Sequence, residues 1–235
     1  MVDDESRVGI ITGASRGFGL ATARALAEAG WSLVIDARGS DALAFVAEEL
    51  AVVSHIVPIA GDVTDQSHRT RLITAAAHLG GLDLLMNNAS ILGPSPQPPL
   101  AGYPLDVFRR VFEVNVTAPL ALIQEALPLL RSRRGTIVNV TSDAAIEGYE
   151  GWGGYGSSKA SLNQLSNVLA AEEPEIKVYW FDPGDMNTRM HQEAFPGEDI
   201  SDRPPPEASV PPLISLLGSG RPSGHYQATK AMDPA

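Results

Sequence analysis

Short aliphatic runs alternate with longer amphipathic stretches along this chain, and that alternation constrains its fold more than any other feature. Val8 to Thr12, Leu33 to Ala37, Ile56 to Ala60, Leu82 to Met86, Thr136 to Val140 and Val178 to Phe181 are apolar runs with many β-branched residues. They lack the polar–apolar alternation of a half-exposed strand, as strands buried on both faces of a parallel sheet do. The stretches between them predict helices over Phe18 to Ala29, closed by Gly30, over Asp41 to Val52, and over Gln66 to Leu79 with Thr64 as N-cap. Asp106 to Leu130 predicts a long helix that Pro119 and Pro128 interrupt or kink, and Tyr155 to Glu172 a helix stopped by Pro174. Val210 to Leu217 adds a last helix and His225 to Ala228 a short edge strand. The expected fold class is α/β, a doubly wound parallel sheet of about seven strands with helices on both faces.

Composition removes whole classes of function. The 235 residues, 44% of them hydrophobic, predict one domain over 1–235 with a substantial core. The absence of cysteine excludes disulfides, thiolate zinc sites and cysteine nucleophiles. A net charge of −11 offers no basic field, so no nucleic-acid partner is expected. No apolar run approaches the roughly 20 residues of a membrane span. The acidic start Met1-Val2-Asp3-Asp4-Glu5 has the wrong charge for a targeting signal, so a cytoplasmic protein without a membrane partner is expected. His55, His68, His78, His191 and His225 show no metal-ligand spacing; they are read as surface residues, with His191 near a substrate entrance, and no metal is expected.

Thr12-Gly13-Ala14-Ser15-Arg16-Gly17-Phe18-Gly19 joins the first strand to the first helix. Glycines there allow a tight turn and a close approach of backbone to a pyrophosphate, and the helix start favours an anion. Two proline-rich segments, 92–104 and 195–212, depart from the strand–helix rhythm. Open α/β sheets bind ligands at the carboxyl ends of their strands, so these segments are candidate walls or lids, with a substrate loop expected over about 189–210. Tyr155 and Lys159 are four apart, hence on one helix face. An ammonium beside a phenol favours the phenolate and would bring its pKa down toward the working range.

The Gly-x-x-x-Gly-x-Gly spacing of the turn resembles that of the short-chain dehydrogenase/reductase family, and further marks follow in order. They are Asp62-Val63, Asn87-Asn88-Ala89, Asn115, Ser142, the Tyr155/Lys159 pair thirteen residues on, and Pro183-Gly184 with Thr188. Together they cover about residues 7 to 228; one departure is Ser90, where the family usually has glycine. The resemblance implies a Rossmann-type fold and an oxidoreductase that moves hydride between a nicotinamide and a carbonyl or secondary alcohol substrate. Tyr155 would be the general acid/base, Ser142 would hold the substrate oxygen, Lys159 would bind the nicotinamide ribose, and Asn115 would keep a proton-relay water beside it. The cofactor would be held by Gly13, Ser15, Arg16, Gly17, Phe18, Gly19, Arg38, Asp62, Val63, Asn88, Ala89, Tyr155, Lys159, Pro183, Gly184 and Thr188.

Counting from Gly19, the acid that favours NAD in this family falls on Ala37 and the phosphate-binding arginine on Arg38, with Arg16 a second basic position. NADP(H) is therefore expected, NAD(H) being the alternative, with Asp36 turned away from the ribose. Residues 151–155, 171–178 and 183–192 are similar to those of sepiapterin reductases and related carbonyl or diketone reductases. Ile91, Leu92, Asp143, Ile146, Trp152, Met186, Met190 and Phe195 are candidate walls for an apolar or aromatic carbonyl compound, with Asp143 or Asp185 serving a polar group. Family analogy also implies a homodimer or homotetramer, its apolar faces supplied by Ala118, Leu122 and Ala126 and by Leu162, Leu165 and Leu169. Two other readings share the scaffold: an NAD-dependent alcohol dehydrogenase, and a dinucleotide-binding sensor without turnover.

Overall fold

The computed structural model describes residues 7–229. The acidic start used above against a targeting signal lies outside the described residues. The elements run β1 (Val8–Ile11), α1 (Gly17–Glu28), β2 (Ser32–Ala37), α2 (Ser40–Leu50), β3 (Ile56–Ala60), α3 (Gln66–His78) and β4 (Leu84–Asn87). Then follow α4 (Leu105–Phe112), α5 (Ala118–Arg133), β5 (Thr136–Val140), α6 (Gly153–Glu172), β6 (Lys177–Asp182), α7 (Arg189–Ala194), α8 (Val210–Gly218) and β7 (Gly224–Gln227).

The seven strands form one sheet in the order β3-β2-β1-β4-β5-β6-β7, every neighbouring pair parallel. The chain winds outward from β1 through β2 to β3, then returns and continues from β4 to the other edge. That reversal opens a crevice beyond the carboxyl ends of β1 and β4. Alternate strand residues serve opposite faces: Ile11, Leu33, Ile35, Met86 and Phe181 pack with α1, α2 and α8, while Ile10, Val34, Leu85, Ile137 and Val178 pack with α3 and α5. This double burial is why the strand sequences carry no polar alternation.

Several local expectations are revised. Thr64 does not cap α3, because its hydroxyl donates back to Asp62 Oδ1 at 2.8 Å; Asp65 is the cap, accepting from Ser67 N at 2.8 Å. The long helix expected from Asp106 is two helices joined by a π-helical turn, Glu113–Thr117. Pro119 lies in the first turn of α5, directly after the π-helical turn, and Pro128 lies inside the helix. Ala118, Leu122 and Ala126, expected on an oligomer face, are buried within the single chain. Leu162 is buried too, whereas Leu165 and Leu169 remain half-buried at the surface. His68 is not a surface residue: it is fully buried.

Candidate active site

The glycine turn leaves the end of β1 and enters α1 with little room to spare. Gly13 has φ of +67° and Gly17 φ of +57°, and a Cβ on Gly19 would lie 2.5 Å from Gly13 O and from Asn88 Nδ2. The turn is tied to β4 by Asn88 Nδ2, which donates to Thr12 O at 2.9 Å and Gly13 O at 3.2 Å. Thr12 Oγ1 accepts from Asn88 N and from Ala89 N, both at 3.0 Å. Asn88 and Ala89 therefore hold the turn, and Thr12 is a site residue that the sequence reading overlooked.

No side chain caps the N-terminus of α1, and its first turn carries no acidic residue, whereas α3 has Asp65 in that role. Its opening N–H groups are thus left for an acceptor from outside the chain. Arg16, at the N-cap of α1, is exposed, as is Arg38 beyond the end of β2, and Ser15 and Gly17 are partly exposed. This donor set and cradle fit a dinucleotide diphosphate. Phe18 instead turns inward, stacking on Phe181 at 6.0 Å between ring centroids. Asp36 also points inward: it is 1% exposed, and its Oδ1 lies 2.7 Å from His68 Nε2. No carboxylate from β2 therefore faces the adenine-ribose side. Asp62 accepts from Thr64 N and Oγ1 and from Arg110 Nη2 at 2.6 Å, so its carboxylate is already engaged, while Val63 packs with Val114 and Ala118.

At the other side of the crevice, α6 buries both Tyr155 and Lys159 on one face. Lys159 Nζ donates to Val140 O at 2.8 Å and lies 5.4 Å from the centroid of the Tyr155 ring. Ser142 follows β5; its Oγ donates to Asp143 Oδ1 at 3.0 Å and accepts from Ala144 N at 3.2 Å. Asn115 sits in the π-helical turn, where the extra residue per turn swings its side chain inward. Its Nδ2 donates to Ile91 O at 2.9 Å and Ser158 Oγ at 3.0 Å, and its Oδ1 accepts from Ile91 N at 2.9 Å. Pro183 O accepts from Ser209 Oγ, Gly184 adopts φ of +75°, and Thr188 Oγ1 caps α7 by accepting from His191 N.

Electrostatics here run against the simple expectation from the lysine. Burial pushes the Tyr155 hydroxyl above the usual tyrosine range, and the charges of Asp182 and Asp143 add to this, with Ser90 opposing. Burial also lowers Lys159, to about 8. An ammonium that is itself desolvated is a weakened source of stabilisation, so in the cofactor-free protein desolvation outweighs the Tyr–Lys pairing.

Over Tyr155 lies an aromatic wall. Trp152 meets Tyr155 at 5.8 Å, Tyr149 at 6.3 Å and Phe195 at 5.9 Å between ring centroids, and Phe195 in turn meets His191 at 4.9 Å. Leu92, Trp152, Met190 and Ala194 pack with Tyr155, whereas Ile146, also expected in the wall, is 63% exposed. The first proline-rich segment meets α7, just ahead of the second, where Ser95 Oγ donates to Glu193 O at 2.7 Å. A cavity of about 610 Å³ beside that junction includes Ser95, Thr188 and Pro196 but none of Ser142, Tyr155 or Lys159, so it is not the reaction cleft.

A family model described as short chain dehydrogenase matches residues 7–199. The chain belongs to this family. It is therefore an oxidoreductase of the short-chain dehydrogenase type. Mouse sepiapterin reductase is 35% identical over 197 residues, covering 78% of this chain and 76% of that protein. A benzil reductase ((S)-benzoin forming) of Saccharomyces cerevisiae is 30% identical over 237 residues, covering 97% and 86%. Among solved structures, a short chain dehydrogenase from Shigella flexneri complexed with NADP matches with a TM-score of 0.89 at 27% identity, covering 95% of this chain and 97% of that one. In this short-chain dehydrogenase no described helix is long and apolar enough to cross a membrane, and no three His, Asp or Glu side chains among the described residues gather as a metal site.

Proposed function

We propose that this short-chain dehydrogenase is an NADPH-dependent carbonyl reductase in which Tyr155 is the general acid. The observation that carries the reading is the burial of Tyr155 and Lys159 on one face of α6, beside Ser142 and across the crevice from the uncapped start of α1. The bound nicotinamide supplies the hydride. Tyr155 gives its proton to the substrate oxygen as charge develops there, Ser142 hydrogen-bonds the same oxygen and orients it, and Lys159 binds the ribose hydroxyls and stabilises the phenolate left behind. The high pKa of the phenol before cofactor binding keeps the acid protonated at neutral pH, which suits reduction. Binding NADP(H) would hold the phosphates on Gly13, Ser15, Gly17 and Gly19 backbone and the 2′-phosphate between Arg16 and Arg38. The inward turn of Asp36 supports NADP(H) over NAD(H), because no carboxylate opposes the extra phosphate.

The aromatic wall around Trp152 supports a flat or aromatic carbonyl compound such as a diketone, quinone or pterin. The relatives named sepiapterin reductase and benzil reductase are in keeping with that class. Half-buried Leu165 and Leu169 with exposed Val168 would receive a second subunit. The test is NADPH oxidation across a panel of diketones, quinones, pterins and keto-esters, run beside Tyr155→Phe. Tyr155→Phe is expected to lose about a hundredfold or more of kcat while retaining NADPH binding. Normal turnover by Tyr155→Phe would remove the proposed acid.

A further inference from the structure

The chain leaving β4 is fixed on both sides of one residue. Ala89 N is bonded to Thr12 Oγ1 at 3.0 Å, and Ile91 is gripped through both its N–H and its carbonyl by the Asn115 side chain at 2.9 Å. Ser90 lies between these clamps. Its Oγ is sealed from solvent and makes no well-formed hydrogen bond of its own. A buried hydroxyl without a partner is destabilising, and this one belongs to the segment that runs against the acid: Leu92, two residues on, packs with Tyr155, and the Ser90 hydroxyl opposes the effect of burial on the phenol.

The other polar groups around that phenol already have a partner within the protein. Ser142 directs its proton to Asp143 Oδ1, and Lys159 Nζ donates to Val140 O. Among these three, Ser90 alone has a polar atom with no hydrogen-bond partner among the described residues, on a backbone bonded on both sides of it.

We propose that Ser90 is a further catalytic residue, its hydroxyl donating to the phenolic oxygen of Tyr155 and stabilising the phenolate formed during reduction. The inference rests on the reading of Tyr155 as general acid. No covalent bond changes at Ser90: the proton lost by Tyr155 goes to the substrate oxygen, and Ser90 only turns its O–H toward the resulting charge.

Three variants separate the possibilities: Ser90→Ala and Ser90→Gly remove the hydroxyl, and Ser90→Thr keeps it. One readout needs neither cofactor nor substrate. In protein carrying tyrosine labelled at the ring carbon that bears the hydroxyl, the NMR signal absent from Tyr155→Phe belongs to Tyr155. It is expected to move in Ser90→Ala and Ser90→Gly and to return toward its original position in Ser90→Thr. The second readout is the pH profile. Without the Ser90 donor the phenolate is disfavoured, so the alkaline limb of reduction and the acid limb of oxidation both move up by about half to one pH unit. An unmoved Tyr155 signal and unmoved limbs in both truncations would overturn the role of Ser90 while Tyr155→Phe is still inactive. Full activity of Tyr155→Phe would instead bring down the acid assignment itself.

Discussion

Asp36 and His68 form a buried pair, Oδ1 to Nε2 at 2.7 Å, beneath the glycine turn. Ala14 N donates to Asp36 O at 2.8 Å, so the same residue that anchors α3 through His68 also supports the turn. Arg71 Nη2 lies 3.1 Å from His68 Nδ1, which extends the chain of contacts to the surface.

Removing the imidazole leaves an acidic group in the interior with its main partner gone. His68→Leu is expected to lose about 3–5 kcal/mol of folding free energy at neutral pH by chemical denaturation. Burial holds Asp36 above the usual carboxylate range. A raised acid contributes stability below its unfolded pKa of about 4 and loses it as pH rises, so the deficit of His68→Leu shrinks on acidification. A loss below about 1 kcal/mol would show that the pair is not a support.

Lys159 presents the opposite sign. Its pKa is lowered to about 8, so the folded protein disfavours the ammonium, and the stability this group contributes at high pH is lost as pH falls through about 8. Two and a half pKa units correspond to about 3 kcal/mol, offset by about 1 kcal/mol for the bond to Val140 O. Cofactor-free Lys159→Met is therefore expected to melt a few degrees higher than the parent at pH 7, an advantage that disappears above pH 10.5. The same variant is expected to be catalytically impaired. An unchanged or lower Tm at pH 7 would contradict the burial penalty.

Cofactor choice is expected to reside largely in one exposed guanidinium. Arg38→Ala should raise KM for NADPH by about ten- to a hundredfold, the worth of a charge-assisted hydrogen bond, and change KM for NADH about twofold or less. Equal changes for both nucleotides would move the 2′-phosphate contact elsewhere.

Gly19 tests the closeness of the turn to β4. A Cβ there would lie 2.5 Å from Gly13 O, a backbone atom that cannot step aside, whereas at exposed Gly148 it would meet nothing within 4 Å. Gly19→Ala is expected to cost about 1–3 kcal/mol and to abolish NADPH binding measured by fluorescence, with Gly148→Ala neutral in both.

The strands were legible in sequence because double-sided burial demands unbroken apolar runs, and β2, β5 and β6 lie within one residue of their expected starts. Tyr155 and Lys159 were legible for a geometric reason: a four-residue spacing on any helix puts side chains together. The Asp36–His68 pair was not, since an acid in one strand and a histidine 32 positions later carry no local signal of contact. Thr64 was misread because its hydroxyl had two possible partners, and only the placement of Asp62 chose between them.

The sequence by itself therefore determined which segments pair into a sheet, where the chain turns tightly, and which reactive side chains share a helix face. These follow from periodicity and steric limits that act over a few residues. Tertiary structure alone decided that Asp36 meets His68, that the Ser90 hydroxyl is buried without a partner among the described residues, and whether the phenol is driven up or down in pKa. Those outcomes depend on desolvation and on partners brought from distant parts of the chain, quantities that do not exist until the molecule has folded.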